Sequence, residues 1–237
     1  MHSHSLSEKS TLLRAGQVVG SVVDGASLAL AGSQQVRDFC DVVEFRADAL
    51  LKHLPRVLGA MCACPVPALL TVRSVLEAGG GGLTSRAQRD EIFTILLPGA
   101  ALYDLEISSL ADFPQLIQQA QTGGVPLVAS YHDFSGTPDR SKLESLIAEA
   151  RDAGASAVKL ATTLRSSADL ATLADLQESA NFPLSTMGMG PLGRVSRLLL
   201  AKLGSVLNYG YLDQPTIPGQ WPAVRLRTII RELDGGK

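Results

Sequence analysis

The sequence predicts an α/β fold in which eight parallel strands alternate with helices and close into a single (β/α)8 barrel. Short apolar, β-rich runs recur along the whole chain, and segments with helical periodicity separate them. Eight is the strand number that closes such a barrel, and 237 residues is an ordinary length for one. Of these residues 46% are hydrophobic and only 5% aromatic, which predicts a large, mostly aliphatic core.

The predicted strands are near-continuous apolar runs, typical of a parallel sheet that is buried on both faces. In chain order they are VVGSVV (18–23), DVVEFR (41–46), ALLTVR (68–73), LYDLEI (102–107), PLVASYHD (126–133), SAVKLAT (156–162), PLSTMGM (183–189) and SVLNYG (205–210). The clearest helices between them are RAQRDEIFTILL (86–97), SKLESLIAEARDAG (141–154) and PLGRVSRLLLAKLG (191–204). In the second helix, Leu143, Leu146 and Ala150 recur at helical spacing, and Gly154 supplies a C-terminal stop signal.

The main alternative is a doubly wound open sheet. It is disfavoured because the segment VVGSVVDGAS around the first strand lacks the G-x-G-x-x-G spacing of a phosphate-binding loop. No linker rich in Pro, Gly or Ser marks a second domain, and the short AGGGG run (78–82) is typical of a flexible loop between a strand and a helix. We therefore predict one TIM-barrel domain over residues 16–237, preceded by a flexible N-terminal segment, 1–15.

Composition excludes several classes of function. A net charge of −2 without a basic run offers nucleic acid no electrostatic footprint, so a small ligand is the expected partner. Cys40, Cys62 and Cys64 do not form a disulfide framework or a zinc spacing, so we expect buried or inert thiols and no metal. The start of the chain lacks the apolar core of a secretory signal, and no run reaches the length of a membrane span. These features predict a soluble, cytoplasmic protein.

Lys159 lies in the middle of an otherwise apolar strand, SAVKLATT (156–163). A buried lysine loses hydration, which disfavours its charged form, and a neutral amine can form a Schiff base with a carbonyl. The structural alternative is that Lys159 stands at the strand end and extends its ammonium group to water. The strand alone leaves both interpretations open.

Further polar side chains fall at the carboxyl ends of the predicted strands, where the active sites of such barrels lie. They are Glu44, Arg46 and Asp48 after strand two, Arg73 and Glu77 after strand three, Asp104 and Glu106 in strand four, His132 and Asp133 ending strand five, Lys159 in strand six, Arg197 after strand seven, and Thr216 and Gln220 after strand eight. For Asp48, Glu106 and Asp133, ion pairs that stabilise the barrel mouth are an equally good explanation. Taken together, the arginines suit an anionic group, and His132 suits proton transfer beside an amine nucleophile.

Six motifs in the correct order make the chain similar to one known family. They are EFRAD (44–48), TVRSVLEAGG (71–80), SYHDFSGTP (130–138), AVKLA (157–161), MGMGPLGRVSR (187–197) and TIPGQ (216–220). These segments resemble the E-x-R-x-D, R-x-x-x-E-G-G, S-x-H-D-F-x-x-T-P, V-K-I-A, M-G-x-x-G-x-x-S-R and S-A-P-G-Q elements of the type I 3-dehydroquinate dehydratases, the Schiff-base dehydroquinases of the shikimate pathway. The resemblance runs from about the first strand to Gln220.

The resemblance implies a TIM barrel that dehydrates 3-dehydroquinate to 3-dehydroshikimate without metal or cofactor, commonly as a homodimer. It implies that Lys159 forms the imine, that His132 is the acid and base, and that Glu77 holds His132 in place. Arg197 would bind the substrate carboxylate. The remaining implied substrate-binding residues are Glu44, Arg46, Arg73, Thr216, Gln220 and Ser21.

Two departures from the family pattern are visible: Thr216 replaces a common serine, and the glycine run after Glu77 is longer than usual. Neither departure removes a catalytic group. Two other functions stay open at this point. A class I aldolase would share Lys159 but has no reason to keep the H-D-F and P-G-Q elements together. A dehydroquinase-like regulatory domain would be expected to lose Lys159 or His132, and both are present.

Overall fold

Eight parallel strands form one sheet in the computed structural model, which describes residues 12–78, 82–215, 217 and 219–235. The strands are β1 (Val18–Val22), β2 (Val42–Arg46), β3 (Ala68–Thr71), β4 (Leu102–Glu106), β5 (Leu127–Asp133), β6 (Ala157–Thr163), β7 (Leu184–Met189) and β8 (Asn208–Tyr211). The helices are α1 (Gly25–Ala31), α2 (Val36–Phe39), α3 (Leu54–Ala63), α4 (Arg86–Leu96), α5 (Pro114–Gly123), α6 (Arg140–Asp152), α7 (Ser167–Glu178), α8 (Gly193–Lys202) and α9 (Ala223–Leu233). The predicted (β/α)8 TIM barrel is confirmed.

The eighth strand joins its two neighbours in different ways: it forms a ladder with β1 and only two single hydrogen bonds on the side of β7. The strand order is β7-β6-β5-β4-β3-β2-β1-β8, so β1 pairs with both β2 and β8. Between β7 and β8 the described residues form no ladder. Two hydrogen bonds join them at the base: the Val206 amide donates to the Leu184 carbonyl (3.0 Å), and the Ser185 hydroxyl donates to the Leu207 carbonyl. We refer to this junction as the β7–β8 seam.

The eighth strand begins later than the sequence pattern predicted. The run 205–210 was expected to be extended, but the ladder with β1 starts at Asn208. Val206 and Leu207 are buried in the base of the barrel, so their apolar character serves packing rather than strand pairing. The Asn208 side chain donates to the carbonyls of Gln17 and Ser205 and fixes this entry to the strand.

Strand alternation gives the barrel two cores. Outward-facing residues such as Val43, Phe45 and Leu160 pack against the helices. Inward-facing residues fill the base of the barrel: Val19, Val42, Leu69, Leu102, Val128, Ala157, Leu207 and Tyr209 belong to this cluster, and Leu12 and Leu13 pack against it. The inner side chains form a packed plug, as expected for an eight-stranded barrel.

Above the apolar plug, the same inward positions become polar. Because successive inward residues are two apart, Val42 is followed by Glu44, Leu102 by Asp104, and Ala157 by Lys159; Ser21, Thr71 and Ser130 occupy the corresponding positions on β1, β3 and β5. Strand register brings these residues side by side, for example Ser21 beside Glu44 and Ser130 beside Lys159. The carboxyl-terminal half of the barrel is therefore lined by polar groups.

Several other sequence predictions can be compared with the structure. Cys40 is buried as expected, but Cys62 is exposed on α3 and Cys64 is only partly buried. Residues 1–11 of the predicted flexible segment, the centre of the glycine run (79–81) and Thr216 lie outside the described residues. Within the described ranges, no helix is long and apolar enough to cross a membrane, and no group of three or more His, Cys, Asp or Glu could hold a metal ion.

Candidate active site

A cavity of about 310 Å3 opens at the carboxyl ends of the strands. Its walls contain all of the catalytic and substrate-binding residues that the family resemblance implied except Thr216: Ser21, Glu44, Arg46, Arg73, Glu77, His132, Lys159, Arg197 and Gln220. Its volume is at the lower end of the range for small-molecule sites. The structure thus brings together residues from seven strands or the segments that follow them, separated by up to about 200 positions in the sequence.

Lys159 is buried at the bottom of this cavity, with 4% of its surface exposed. Its Nζ lies 3.3 Å from the Asp104 carboxylate, 3.8 Å from the Glu44 carboxylate and 4.1 Å from the centre of the Tyr209 ring. The alternative in which the amine extends to water is excluded by this burial. In addition to this burial, the carboxylates of Asp104 and Glu44 hold the Lys159 amine in place.

Asp104 is the anchor of the buried polar layer. Its second oxygen accepts from Arg73 (2.8 Å) and from the Ser130 hydroxyl (2.6 Å), while Ser130 in turn accepts from Arg73 (2.7 Å). Burial alone would raise the pKa of Asp104, but Arg73 and Lys159 outweigh burial, so the pKa lies below its ordinary value. Asp104 is therefore ionised, and its contacts with Arg73, Ser130 and Lys159 hold the carboxylate in place.

His132 and Glu77 form a second unit on the cavity wall. One oxygen of Glu77 accepts from the His132 backbone amide (2.9 Å) and lies 3.2 Å from ring atom Nδ1, and the other oxygen accepts from Ser108 (2.8 Å). Burial raises the pKa of Glu77. A hydrogen on Nδ1 that points to Glu77 leaves Nε2 with a free lone pair, which is the tautomer a base requires.

The charge state of His132 follows from its surroundings. Burial, and then the nearby cations Arg73, Lys159 and Arg46, hold the pKa of His132 well below its usual value of about 6.5. The imidazole is therefore neutral at physiological pH. Phe134 lies nearly parallel to the imidazole ring, with ring centres 6.5 Å apart, and also lines the cavity.

Arg197 is a buried cation with no acidic partner among the described residues. It is 2% exposed, and its Nη1 donates to the Tyr209 carbonyl (2.9 Å) and contacts the Met187 sulfur (3.5 Å). Its Nε is buried without a hydrogen-bond partner in the described part of the chain. Burial lowers the pKa of Arg197 to about 10. An unpaired buried guanidinium that lines a cavity is a strong site for a carboxylate ligand.

The other predicted binding residues are held by contacts within the protein. Ser21 and Thr71 donate to the two oxygens of Glu44 (2.8 and 2.9 Å), so Ser21 positions that carboxylate. Arg46 makes a two-pronged contact with Asp48 and faces the cavity. Gln220 is 5% exposed, and its side-chain oxygen lies 3.4 Å from the Ile217 amide.

Three of the strand-end carboxylates are held by contacts within the protein, and two of them, Asp48 and Glu106, form the ion pairs that the alternative interpretation proposed. Asp48 pairs with Arg46 and accepts from the Arg73 backbone amide (3.1 Å), and Asp133 accepts from backbone amides of the turn that follows β5. Glu106 pairs with Arg73 and Arg89 and accepts from the Ser74 amide (2.7 Å), so it anchors the segment that leads to Glu77. None of the three lines the cavity.

The family comparison agrees with the geometry. The model of the family described as type I 3-dehydroquinase matches residues 21–237. The chain belongs to this family. A type I dehydroquinase barrel also explains the structural similarity: 3-dehydroquinate dehydratase from Geobacillus kaustophilus is 27% identical, with a TM-score of 0.82 over 92% of this chain and 91% of that chain.

Two sequence relatives are named 3-dehydroquinate dehydratase, and this chain matches each of them over most of its length. A 3-dehydroquinate dehydratase from Methanothrix thermoacetophila is 31% identical over 209 residues, which cover 88% of this chain and 89% of the relative. A second, from Methanocella arvoryzae, is 34% identical over 196 residues, which cover 81% of this chain and 86% of the relative. The similarity to these 3-dehydroquinate dehydratases therefore covers more than four fifths of the chain.

Two residues of the site were missing from the predicted set. Asp104 was noticed as a strand-end carboxylate but was given no role, although a buried lysine requires a counter-charge and Asp104 lies at an inward position. Tyr209 was not considered, although alternation from the buried Leu207 places it inside the barrel. Both could have been found by extending the inward positions of each strand.

Proposed function

We propose that this protein dehydrates 3-dehydroquinate to 3-dehydroshikimate, the third step of the shikimate pathway, through a Schiff base on Lys159. The observation that carries the proposal is one cavity that holds a buried amine, a neutral histidine and an arginine without an acidic partner among the described residues. These three groups match a ketone, a proton to be removed and a carboxylate. Membership of the type I dehydroquinase family and the names of the relatives support the same activity.

The first half of the proposed reaction makes the imine. His132 takes a proton from the Lys159 amine, Nζ attacks the C3 ketone of the substrate to give a carbinolamine, and His132 returns the proton to the carbinolamine hydroxyl. Loss of that hydroxyl as water leaves a protonated imine, whose positive charge takes the place of the ammonium beside Asp104 and Glu44. The two carboxylates thus stabilise a cation on this nitrogen before and after the bond forms.

In the second half, the imine acidifies C2, because the cationic nitrogen accepts the electron pair released with the proton. His132 takes that proton on Nε2, and Glu77 stabilises the resulting imidazolium through Nδ1. His132 then returns the proton to the C1 hydroxyl, which leaves as water while the ring double bond forms. Hydrolysis of the conjugated imine releases the product and restores Lys159.

Arg197 orients this chemistry in the proposal. Its guanidinium binds the carboxylate on C1, the carbon that loses its hydroxyl, and so sets the ring relative to Lys159 and His132. Glu44, Arg46, Arg73 and Gln220 would contact the substrate hydroxyls. Ser21 acts through Glu44, and a role for Thr216 in closing the site stays a prediction.

The test is trapping with borohydride. The protein is incubated with 3-dehydroquinate and sodium borohydride, and intact mass and peptide mapping locate any reduced adduct; turnover is followed in parallel by the appearance of the conjugated product. The matched control is Lys159→Met, with Lys142 on α6 as an exposed lysine that should stay unmodified. An adduct on Lys159 together with turnover supports the proposal.

Other outcomes separate the parts of the proposal. Turnover without any adduct would retain the dehydratase activity and refute the imine. An adduct with other keto acids but no dehydration would favour an aldolase-type enzyme. Binding of 3-dehydroquinate with neither adduct nor turnover would favour a regulatory binding domain.

We further propose that residues 16–237 form one catalytic domain and that the protein acts in the cytoplasm as a homodimer, with no metal, cofactor or nucleic-acid partner. Membership of a biosynthetic enzyme family supports this assignment. Light scattering coupled to size-exclusion chromatography tests the dimer directly: a monomer mass at working concentration would refute it.

A further inference from the structure

The segment that carries Glu77 has little apolar packing of its own. It is the short turn Val75–Glu77 after β3, in which Val75 is 43% and Leu76 84% exposed. Glu77 itself is buried, and its side chain lines the active-site cavity. Since few apolar contacts hold this turn, the position of the Glu77 carboxylate depends on the hydrogen bonds that it accepts.

Ser108 supplies one of these hydrogen bonds from outside the His132 unit. It lies in the turn Ile107–Asp112, directly after β4, and its hydroxyl donates to Glu77 Oε1 (2.8 Å). The other oxygen, Oε2, accepts from the His132 amide (2.9 Å) and faces Nδ1 at 3.2 Å. The two oxygens are thus held from two different strand ends. Ser108 is not among the described residues that line the cavity, so its effect on the reaction must pass through Glu77.

The charges near Glu77 make this hydrogen bond important for its ionisation. The titratable and charged groups around the carboxylate come from three strand ends: Arg73 after β3, Glu106 on β4, and Tyr131 and His132 on β5. Burial is the largest influence on Glu77 and raises its pKa, and the charge of Glu106 acts in the same direction. The Ser108 hydrogen bond is the largest influence in the opposite direction, followed by the charge of Arg73. Tyr131 stays uncharged, because burial and Asp133 raise its pKa to about 12.

We propose that Ser108 is a positioning residue of the active site, whose hydroxyl keeps the Glu77 carboxylate ionised and turned towards His132 Nδ1. The inference rests on the proposed function. An ionised Glu77 accepts the hydrogen on Nδ1, which leaves the lone pair of Nε2 for the substrate proton, and it stabilises the imidazolium that then forms. A protonated Glu77 does not provide this stabilisation.

The variant Ser108→Ala tests the inference through the pH dependence of turnover. Without the hydroxyl the pKa of Glu77 should rise, so the acid limb of kcat/KM should move to higher pH by about 0.5–1 unit. Ser108 is exposed, and water that replaces the hydroxyl limits the shift to this size. At about pH 8, kcat should fall about 3- to 10-fold with KM within about twofold, because Glu77 acts on the imidazolium and does not hold the substrate. Ser108→Thr retains a hydroxyl and should restore both values.

The matched control is Ser109→Ala. Ser109 is the next residue of the same turn, but it is buried and its hydroxyl accepts from Arg89 (3.1 Å) instead of contacting Glu77. Its replacement should lower Tm without moving the acid limb. Equal shifts in the two variants would assign the effect to the turn as a whole and overturn the inference. An acid limb that stays in place in Ser108→Ala would overturn it as well.

A direct titration of Glu77 separates this inference from the proposed function. In protein with isotope-labelled glutamate, the NMR signal of the Glu77 carboxyl group is assigned by its absence from Glu77→Gln. Its midpoint should be about 0.5–1 pH unit higher in Ser108→Ala than in wild type. Equal midpoints would refute the role of Ser108 even in an active enzyme. Absence of both turnover and a Lys159 adduct in the wild-type protein would instead overturn the proposed function, and the positioning role with it, whatever the midpoints.

Discussion

Replacing Arg197 by methionine is expected to stabilise the free protein while it weakens substrate binding. Arginine in water titrates at about 12.5, whereas burial lowers the pKa of Arg197 to about 10. The difference means that the folded protein disfavours the charged guanidinium at every pH below about 10, so the cost is fully present at neutral pH. At about 1.4 kcal/mol for each pKa unit, that cost is about 3 kcal/mol.

Methionine keeps the apolar stem of Arg197 and removes the charge. It also removes the hydrogen bond to the Tyr209 carbonyl, which is worth about 1 kcal/mol. The net expectation is a gain of about 2 kcal/mol in the free energy of unfolding. Substrate binding should lose about 2 kcal/mol or more, a fall of roughly 30-fold or more in kcat/KM, because the substrate carboxylate then has no charged partner.

Urea unfolding at neutral pH measures the first effect, and steady-state kinetics measures the second. Arg194→Met is the control, since Arg194 is an exposed arginine on the same helix and lies over the Trp221 ring. Its stability should change by no more than about 0.5 kcal/mol. Two results would show that Arg197 is a structural residue: an Arg197→Met variant less stable than wild type, or a variant that retains full kcat/KM.

Three further predictions concern the base, the loop that follows β8 and the buried Arg89–Glu106 ion pair. Because the pKa of His132 lies well below its usual value, kcat/KM should stay level through pH 6.5 and fall only at lower pH; an inflection near 6.5 would contradict this. Gly219→Ala should raise KM and lower Tm, since Gly219 has φ +86° and an added Cβ would lie 2.9 Å from the Gly190 carbonyl oxygen, whereas unchanged values would refute the strain. Arg89→Met should cost about 3 kcal/mol in urea unfolding by leaving the Glu106 carboxylate short of a partner, and a cost under about 1 kcal/mol would show that other contacts suffice.

The barrel could be predicted from the sequence because its determinants are local. Each strand is a short apolar run, each helix has its own periodicity, and the number of alternations fixes the architecture. The eighth strand shows the limit of this reasoning. Val206 and Leu207 have strand-like composition, yet they pack in the plug, and only the register with β1 determines that pairing begins at Asn208.

The site could be predicted in part for the same reason. Residues at the carboxyl ends of parallel strands meet, so the cavity walls contain the implied catalytic and substrate-binding residues that the structure describes. Which side chains touch across the barrel depends on the strand register and on the shear of the barrel, and neither can be inferred from the sequence pattern. Hence the contacts of Lys159 with Asp104 and with the Tyr209 ring, and the link from Ser21 to Glu44, emerged only from the structure.

Because β7 and β8 form no ladder among the described residues, the sheet is open along the β7–β8 seam. Above the two bonds at its base, the Arg197 guanidinium crosses the gap from α8, which follows β7, to the Tyr209 carbonyl on β8. A ligand that immobilises the guanidinium would therefore also stabilise the contact between α8 and β8 across this seam. Amide hydrogens of β8 should then exchange with solvent more slowly when an anion occupies the cavity. Local opening of the barrel at the seam would thus depend on whether the site is occupied.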